Sequence, residues 1–155
     1  MFRDSGNATR SFIKKLCSTV KPKLGAKQLV SYLENKGYRI YLISGAFDIF
    51  VEEVAKKLGV DGFYANSSLD FDKKGIIKKI HYRDNQGEIK VEQLKTLIEF
   101  LRIGMNEVTF IGDGENDIEV FKKTGKGIAV HSFNEALNKI SWKRVNALSD
   151  IKRIL

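Results

Sequence analysis

A short apolar run, Val108-Thr109-Phe110-Ile111, leads directly into Gly112-Asp113-Gly114-Glu115-Asn116-Asp117, and a helix-like pattern follows through Phe121. The run reads as a buried strand that delivers two carboxylates and a carboxamide to its C-terminal tip. In an open α/β sheet that edge is where ligands bind. The two glycines permit a tight turn and close approach of backbone. Asp113 and Asp117 are hard oxygen donors of the kind Mg2+ takes, directly or through water. Two acids this close together repel each other unless a cation lies between them. The plainer reading is a turn in which Asn116 or Asp117 caps the next helix. The strand before it, the helix after it and three oxygen-bearing side chains at the joint favour a site.

The chain has 155 residues, enough for one domain with its own core. Hydrophobic residues make up 43% and charged residues 30%, the balance of a soluble globular protein. No apolar run approaches the roughly 20 residues that span a bilayer. The N-terminal Met-Phe-Arg-Asp-Ser-Gly-Asn lacks the apolar core of a signal peptide. A cytoplasmic location is therefore expected. Cys17 is the only cysteine, which excludes an intrachain disulfide, and it reads as a packed thiol. His81 and His131 stand alone, without the spacing of a metal site. The net charge of +8 raises the question of a nucleic-acid partner. The lysines, however, fall in scattered pairs, such as Lys14-Lys15, Lys56-Lys57, Lys78-Lys79 and Lys122-Lys123, with no aromatic residues alternating as a stacking platform. Nucleic-acid binding is the weakest reading. A basic surface still attracts anionic substrates.

Periodicity predicts helices over 8–19, 25–36, 47–58, 90–103, 116–124 and near 133–139. Gly37, Gly59 and Gly104 stand where helix-closing glycines belong. Strands are predicted over 39–43, ended by Ser44-Gly45-Ala46, and over 62–65, 107–111, 127–130 and near 144–148. Leu69 to Phe71 and Ile76 to Ile80 flank Asp72-Lys73-Lys74-Gly75, a hairpin signal. The alternation implies an α/β fold, a mostly parallel sheet with helices on both faces. Right-handed crossovers bring the strand C-termini to one edge. That edge then carries Ser44, the N–H groups opening helix 47–58, Asp113 and Asp117, with Lys90 at the start of the helix between them. Neutral donors, a lysine and a metal carboxylate together describe a phosphate site.

These residues resemble the haloacid dehalogenase superfamily, and within it the phosphoserine phosphatase-like branch. The resemblance runs from about Lys21 to the C-terminus. Gly37-Tyr38-Arg39-Ile40-Tyr41-Leu42-Ile43-Ser44-Gly45-Ala46-Phe47-Asp48 is similar to that branch's second motif and its lead-in. Lys90 falls where the third-motif lysine belongs, and Gly112-Asp113-Gly114-Glu115-Asn116-Asp117 matches the fourth motif, GDGxND. Ala46 departs from the pattern, in which a second glycine is usual. The resemblance implies a Rossmann-like core and hydrolysis of a small phosphorylated metabolite with Mg2+. It implies that Ser44, the Gly45 amide, Lys90 and Asn116 bind phosphate. It also implies that Asp113 binds the metal, with Asp117 as a metal-site residue supporting the metal water or Lys90.

The same resemblance exposes a deficit. The family's reaction uses an aspartate nucleophile and a second aspartate two residues on, in an Asp-x-Asp-x-Thr/Val motif closing the first strand. This sequence has no such motif: Asp4 is the only aspartate before Ser44, and Asp70 and Asp72 fall in the hairpin. Residues 1–20 read as the remnant of a helical cap and 21–155 as the core domain. The chain is accordingly expected to be a fragment, a split product or a degenerate relative, and inactive alone. A non-catalytic module binding phosphorylated ligands or a partner is the alternative. The family's first strand lies between those ending at Ser44 and Asp113. Two ways of closing the gap are expected: direct pairing of 39–43 with 107–111, or a strand from another chain.

Overall fold

Residues 8–155 are described by a computed structural model, in which the strands form two three-stranded sheets rather than one. Helices α1 (Arg10–Thr19) and α2 (Ala26–Asn35) come first. Strand β1 (Tyr41–Phe47) leads into α3 (Asp48–Leu58), and the hairpin of β2 (Gly62–Phe71) and β3 (Ile77–His81) follows. Then come α4 (Gln86–Leu101), β4 (Phe110–Gly112), α5 (Ile118–Thr124), β5 (Gly127–Val130), α6 (Glu135–Ile140) and β6 (Lys143–Val145). The Thr9 hydroxyl caps α1 by accepting the Phe12 N–H, and Asn134 caps α6 by accepting that of Leu137. Gly59 closes α3 in the left-handed conformation. At the end of α4 that conformation falls on Arg102, with φ 56°, so Gly104 is not the closing residue.

Four strands differ from the expected ones: β4 starts only at Phe110, after a 3-10 turn over Met105–Glu107, β6 ends at Val145, and β1 and β2 differ more. β1 runs on through Ser44-Gly45-Ala46 to Phe47, because β2 continues beside it and the Ser67 hydroxyl donates to the Gly45 carbonyl. β2 is one continuous strand, where a short strand and a separate hairpin arm were expected. Its polar middle, Asn66-Ser67, reads as a break but is buried, and Asn66 Nδ2 donates to Gln86 Oε1 at 2.7 Å. The first half of β2 pairs parallel with β1, Tyr41 opposite Gly62 through Ser44 opposite Ala65. Its second half pairs antiparallel with β3. β4, β5 and β6 form a second, parallel sheet.

No ladder joins β1 to β4, so the expected direct pairing of 39–43 with 107–111 does not occur. The helices explain how the two sheets stay together without it. Val91 and Leu94 of α4 belong to a cluster that takes in Ile43 and Phe110. Leu29 and Leu33 of α2 belong to another that takes in Ile40 and Ile111. Side chains alternate across a strand, so Ile43 and Ile40 lie on opposite faces, as do Phe110 and Ile111. Each helix therefore spans both sheets, one on each face.

α1 packs against α3, and Lys57 Nζ donates to the Ser18 and Val20 carbonyls at its end. The reading of residues 1–20 as a cap remnant falls partly on residues 1–7, outside the described ones, as does Asp4. Cys17 is buried in α1, and burial pushes its thiol above the usual range. Among the described residues no helix is long and apolar enough to cross a membrane.

The second sheet packs around Phe121, which meets Phe110 edge-on with ring centroids 6.1 Å apart. Gly127 of β5 lies directly beneath that ring, and a Cβ there would be 2.1 Å from Phe121 Cδ2. Phe121 is fully buried and has no room to yield. Gly127→Ala is predicted to destabilise the chain by about 1–3 kcal/mol through overpacking. In urea unfolding the midpoint falls while the slope stays the same.

Candidate active site

Gly112-Asp113-Gly114 leaves β4 and enters a single 3-10 turn, Glu115–Asp117, before α5. Asp117 folds back over this loop and is only 4% exposed. Its Oδ2 accepts the N–H groups of Asp113 at 3.0 Å and Gly114 at 3.2 Å. Its Oδ1 accepts Lys90 Nζ at 2.6 Å. A Cβ at position 112 would lie 2.3 Å from Asp117 Oδ2, so only glycine fits beneath the carboxylate. Asp117 thus shapes the loop and holds Lys90.

Lys90 is buried, one turn inside α4 rather than at its start. The helix begins at Gln86 because that side chain is buried and bonded, not part of a flexible turn. Asp113 points the other way, with its side chain 57% exposed, and its Oδ2 pairs with Lys23 Nζ at 3.0 Å. The Ser132 hydroxyl donates to the Asp113 main-chain oxygen at 2.8 Å. Each acid therefore has its own lysine, Lys90 for Asp117 and Lys23 for Asp113. The repulsion expected between the two carboxylates is answered within the chain.

The tip of β1 meets this loop through the start of α4. A Cβ at Gly45 would lie 2.5 Å from Gln86 Oε1, and one at Gly87 would lie 3.7 Å from the Asn116 main-chain oxygen. Ser44 Oγ accepts the Ala46 N–H at 3.2 Å, which leaves the hydroxyl proton free to donate elsewhere. The Asn116 side chain is exposed. Ser44, Gly45, Lys90, Asp113, Asn116 and Asp117 thus gather where β1, α4 and the β4–α5 loop converge. The N-terminus of α3 is less open than expected, because Asp48 Oδ1 accepts the Ile49 N–H at 2.7 Å.

Among the described residues no three His, Cys, Asp or Glu side chains cluster to hold a metal. The donors present still fit Mg2+, which commonly takes one or two carboxylates and keeps several waters. Asp113 offers an exposed carboxylate whose lysine partner is itself 77% exposed and easily displaced. Asp117 has both oxygens engaged and stands behind the loop. Asp70 and Asp72 are used elsewhere. Asp70 Oδ2 pairs with His81 at 2.7 Å, and that bond holds its carboxyl below the usual range. Asp72 Oδ1 accepts the N–H groups of Lys74 and Ile76 in the hairpin turn.

Sequence reading missed Lys23, Gln86 and Ser132. Pro22-Lys23-Leu24-Gly25 shows only a turn before α2, and nothing local reports a partner as distant in the chain as Asp113. Gln86, beside Asn85 and Gly87, carries the composition of a loop.

The family model of the haloacid dehalogenase-like hydrolases matches residues 7–125. The chain belongs to this family. It is 34% identical over 120 residues to the phosphoserine phosphatase of Methanocaldococcus jannaschii, covering 76% of this chain and 55% of that protein. It is 33% identical over 105 residues to that of Lactococcus lactis, covering 68% and 48%. A crystal structure of phosphoserine phosphatase in apo form superposes with a TM-score of 0.79 at 26% identity, over 95% of this chain and 74% of the other. A phospho-aspartyl intermediate analogue of phosphoserine phosphatase gives 0.78 at 26% identity, over 96% and 71%. These relatives put the chain in the phosphoserine phosphatase-like branch. It spans about half the length of the curated relatives it matches.

Removing one partner of a buried ion pair leaves an uncompensated charge. Lys90→Met is predicted to cost about 3–5 kcal/mol in denaturant unfolding. Adding Asp117→Asn should recover part of that loss, because the amide oxygen still accepts the loop N–H groups. Lys23→Met, at an exposed pair, should cost less than about 1 kcal/mol.

Proposed function

We propose that this chain forms the larger share of the active site of a Mg2+-dependent phosphate monoester hydrolase of the phosphoserine phosphatase type, and that alone it does not turn over. The observation that carries this is the convergence of Ser44, Gly45, Lys90 and Asp113 where β1, α4 and the loop after β4 meet, beside an Asp117 whose two oxygens are committed to Lys90 and to two loop amides. The names of the relatives support phosphoserine as the substrate class, within small phosphorylated metabolites.

In this reading the Ser44 hydroxyl and the Gly45 N–H donate to phosphoryl oxygens. Lys90 donates one N–H to Asp117 and has two more N–H groups for the phosphoryl group. Asn116, exposed at the rim, orients the substrate. Asp113 would hold Mg2+, with Lys23 giving way, and Asp117 fixes the Asp113 and Gly114 amides behind it. Bound there, Mg2+ supplies neutralisation of charge on the phosphoryl oxygens.

One similar solved protein is a phospho-aspartyl intermediate analogue. Covalent chemistry of that kind needs an aspartate oxygen free to bond phosphorus, with water then releasing phosphate. Here Asp117 is committed to Lys90 and two amides, and Asp113 would hold the metal. Asp70 and Asp72 are held in the hairpin. The committed state of Asp117 also favours a second reading, a module that binds phosphorylated ligands without turnover.

Both readings predict that the purified chain binds inorganic phosphate in a Mg2+-dependent way, seen by phosphorus NMR, and that Asp113→Asn abolishes this. They also predict no hydrolysis of para-nitrophenyl phosphate above that of Asp113→Asn. Turnover by the chain alone, lost in Asp113→Asn, would contradict the inactivity. Absence of Mg2+-dependent phosphate binding would contradict both readings.

A further inference from the structure

We propose that Lys23 is an exchangeable cation of the site: it pairs with Asp113 and, once that carboxylate turns to Mg2+, it binds the anionic ligand instead. The exchange rests on the Mg2+ and phosphate reading above; the contact with Asp113 rests on geometry alone.

The two ion pairs of the site differ in kind. The side chains of Lys90 and Asp117 are 11% and 6% exposed, and their contact is 2.6 Å long. Those of Lys23 and Asp113 are 77% and 57% exposed, 3.0 Å apart. A buried pair is costly to break, because the partner left behind keeps an uncompensated charge. An exposed pair contributes little, because water solvates either partner once they separate. Lys23–Asp113 is therefore the contact that a competing ion can open without disturbing the fold.

The backbone around both partners is anchored. The Lys23 carbonyl accepts the Ala26 N–H at 3.0 Å, and the Gly25 carbonyl accepts that of Leu29 at 2.9 Å. Gly25 takes the left-handed conformation of this turn, with φ 82°. Leu29 and Leu33 then seat α2 in the core. Asp113 is fixed from two sides, since its N–H donates to Asp117 and its main-chain oxygen accepts the Ser132 hydroxyl. The part left to move is the lysine side chain, a flexible stem with a compact charge and rotatable N–H donors. Such a side chain exchanges one oxygen for a nearby one while its backbone stays still.

Charge decides where the lysine goes. The two lysines balance the two aspartates. A divalent cation added at Asp113 gives these four groups an excess of two positive charges. A phosphate monoester dianion matches that excess. Lys90 would meet it from the buried side, tied to Asp117, and Lys23 from the solvent side. Lys23 thus competes with Mg2+ for Asp113 and afterwards adds to ligand binding. The two effects have opposite signs, and a lysine that only steadied the turn before α2 would produce neither.

The test uses the purified chain. Mg2+ binding is followed by the NMR shifts of the Asp113 and Gly114 amides, and inorganic phosphate binding by phosphorus NMR at saturating Mg2+. Lys23→Met should bind Mg2+ more tightly than the wild type when phosphate is left out, and should bind phosphate more weakly when Mg2+ is present. Each change should be about two- to fivefold, the size of an exposed ion pair. Lys23→Arg keeps the charge and should stay close to the wild type in both measurements. Lys27→Met removes the same charge from the exposed side of α2 and should change neither. An unchanged or opposite shift in either measurement, or equal shifts in Lys27→Met, would overturn the exchange and leave the hydrolase reading standing. Absence of Mg2+ binding in both the wild type and Lys23→Met would overturn the two together.

Discussion

The buried contact between Lys90 and Asp117, 2.6 Å long, is where the parts of this molecule are tied together. Lys90 belongs to α4, which packs on both sheets. Asp117 belongs to the loop that leaves β4, and its second oxygen holds the two amides that shape that loop. One carboxylate thus fixes the position of a helix, the path of a loop and the orientation of the lysine in the site. A buried ion pair contributes little net stability against an apolar replacement, but losing one partner is severe. Geometry accounts for it better than stability does. Gly112 is part of the same device, since any side chain there would displace the Asp117 carboxylate.

The two sheets are joined by helices rather than by hydrogen bonds between β1 and β4. The site inherits this arrangement. In the proposed reading, phosphate would be met from β1 and α4, and Mg2+ from the loop after β4. Each side is internally satisfied, Ser44 by the Ala46 amide and Asp113 by Lys23. Those partners are weak or exposed, so ligands can displace them.

Much of this was legible in the sequence because the signals are local. The apolar run into Gly112-Asp113-Gly114 marks a strand tip by composition alone, and Gly59 marks a helix end by its conformational freedom. The failures share one physical cause. Asn66, Ser67 and Gln86 look like loop residues because their side chains are polar, yet all three are buried and bonded to partners far along the chain. Lys23 was invisible for the same reason: its importance lies in a carboxylate that no local pattern reports. Hydrophobic periodicity placed 39–43 and 107–111 as strands but not as neighbours, since pairing depends on how α2 and α4 space them.

β1 and β4 lie in separate sheets, with no ladder between them. This separation is tested most directly by NMR contacts between backbone protons of residues 41–44 and 110–112 in the chain. None are expected, alongside clear contacts from β1 to β2 and from β4 to β5. A continuous set of cross-strand contacts between β1 and β4 would contradict it.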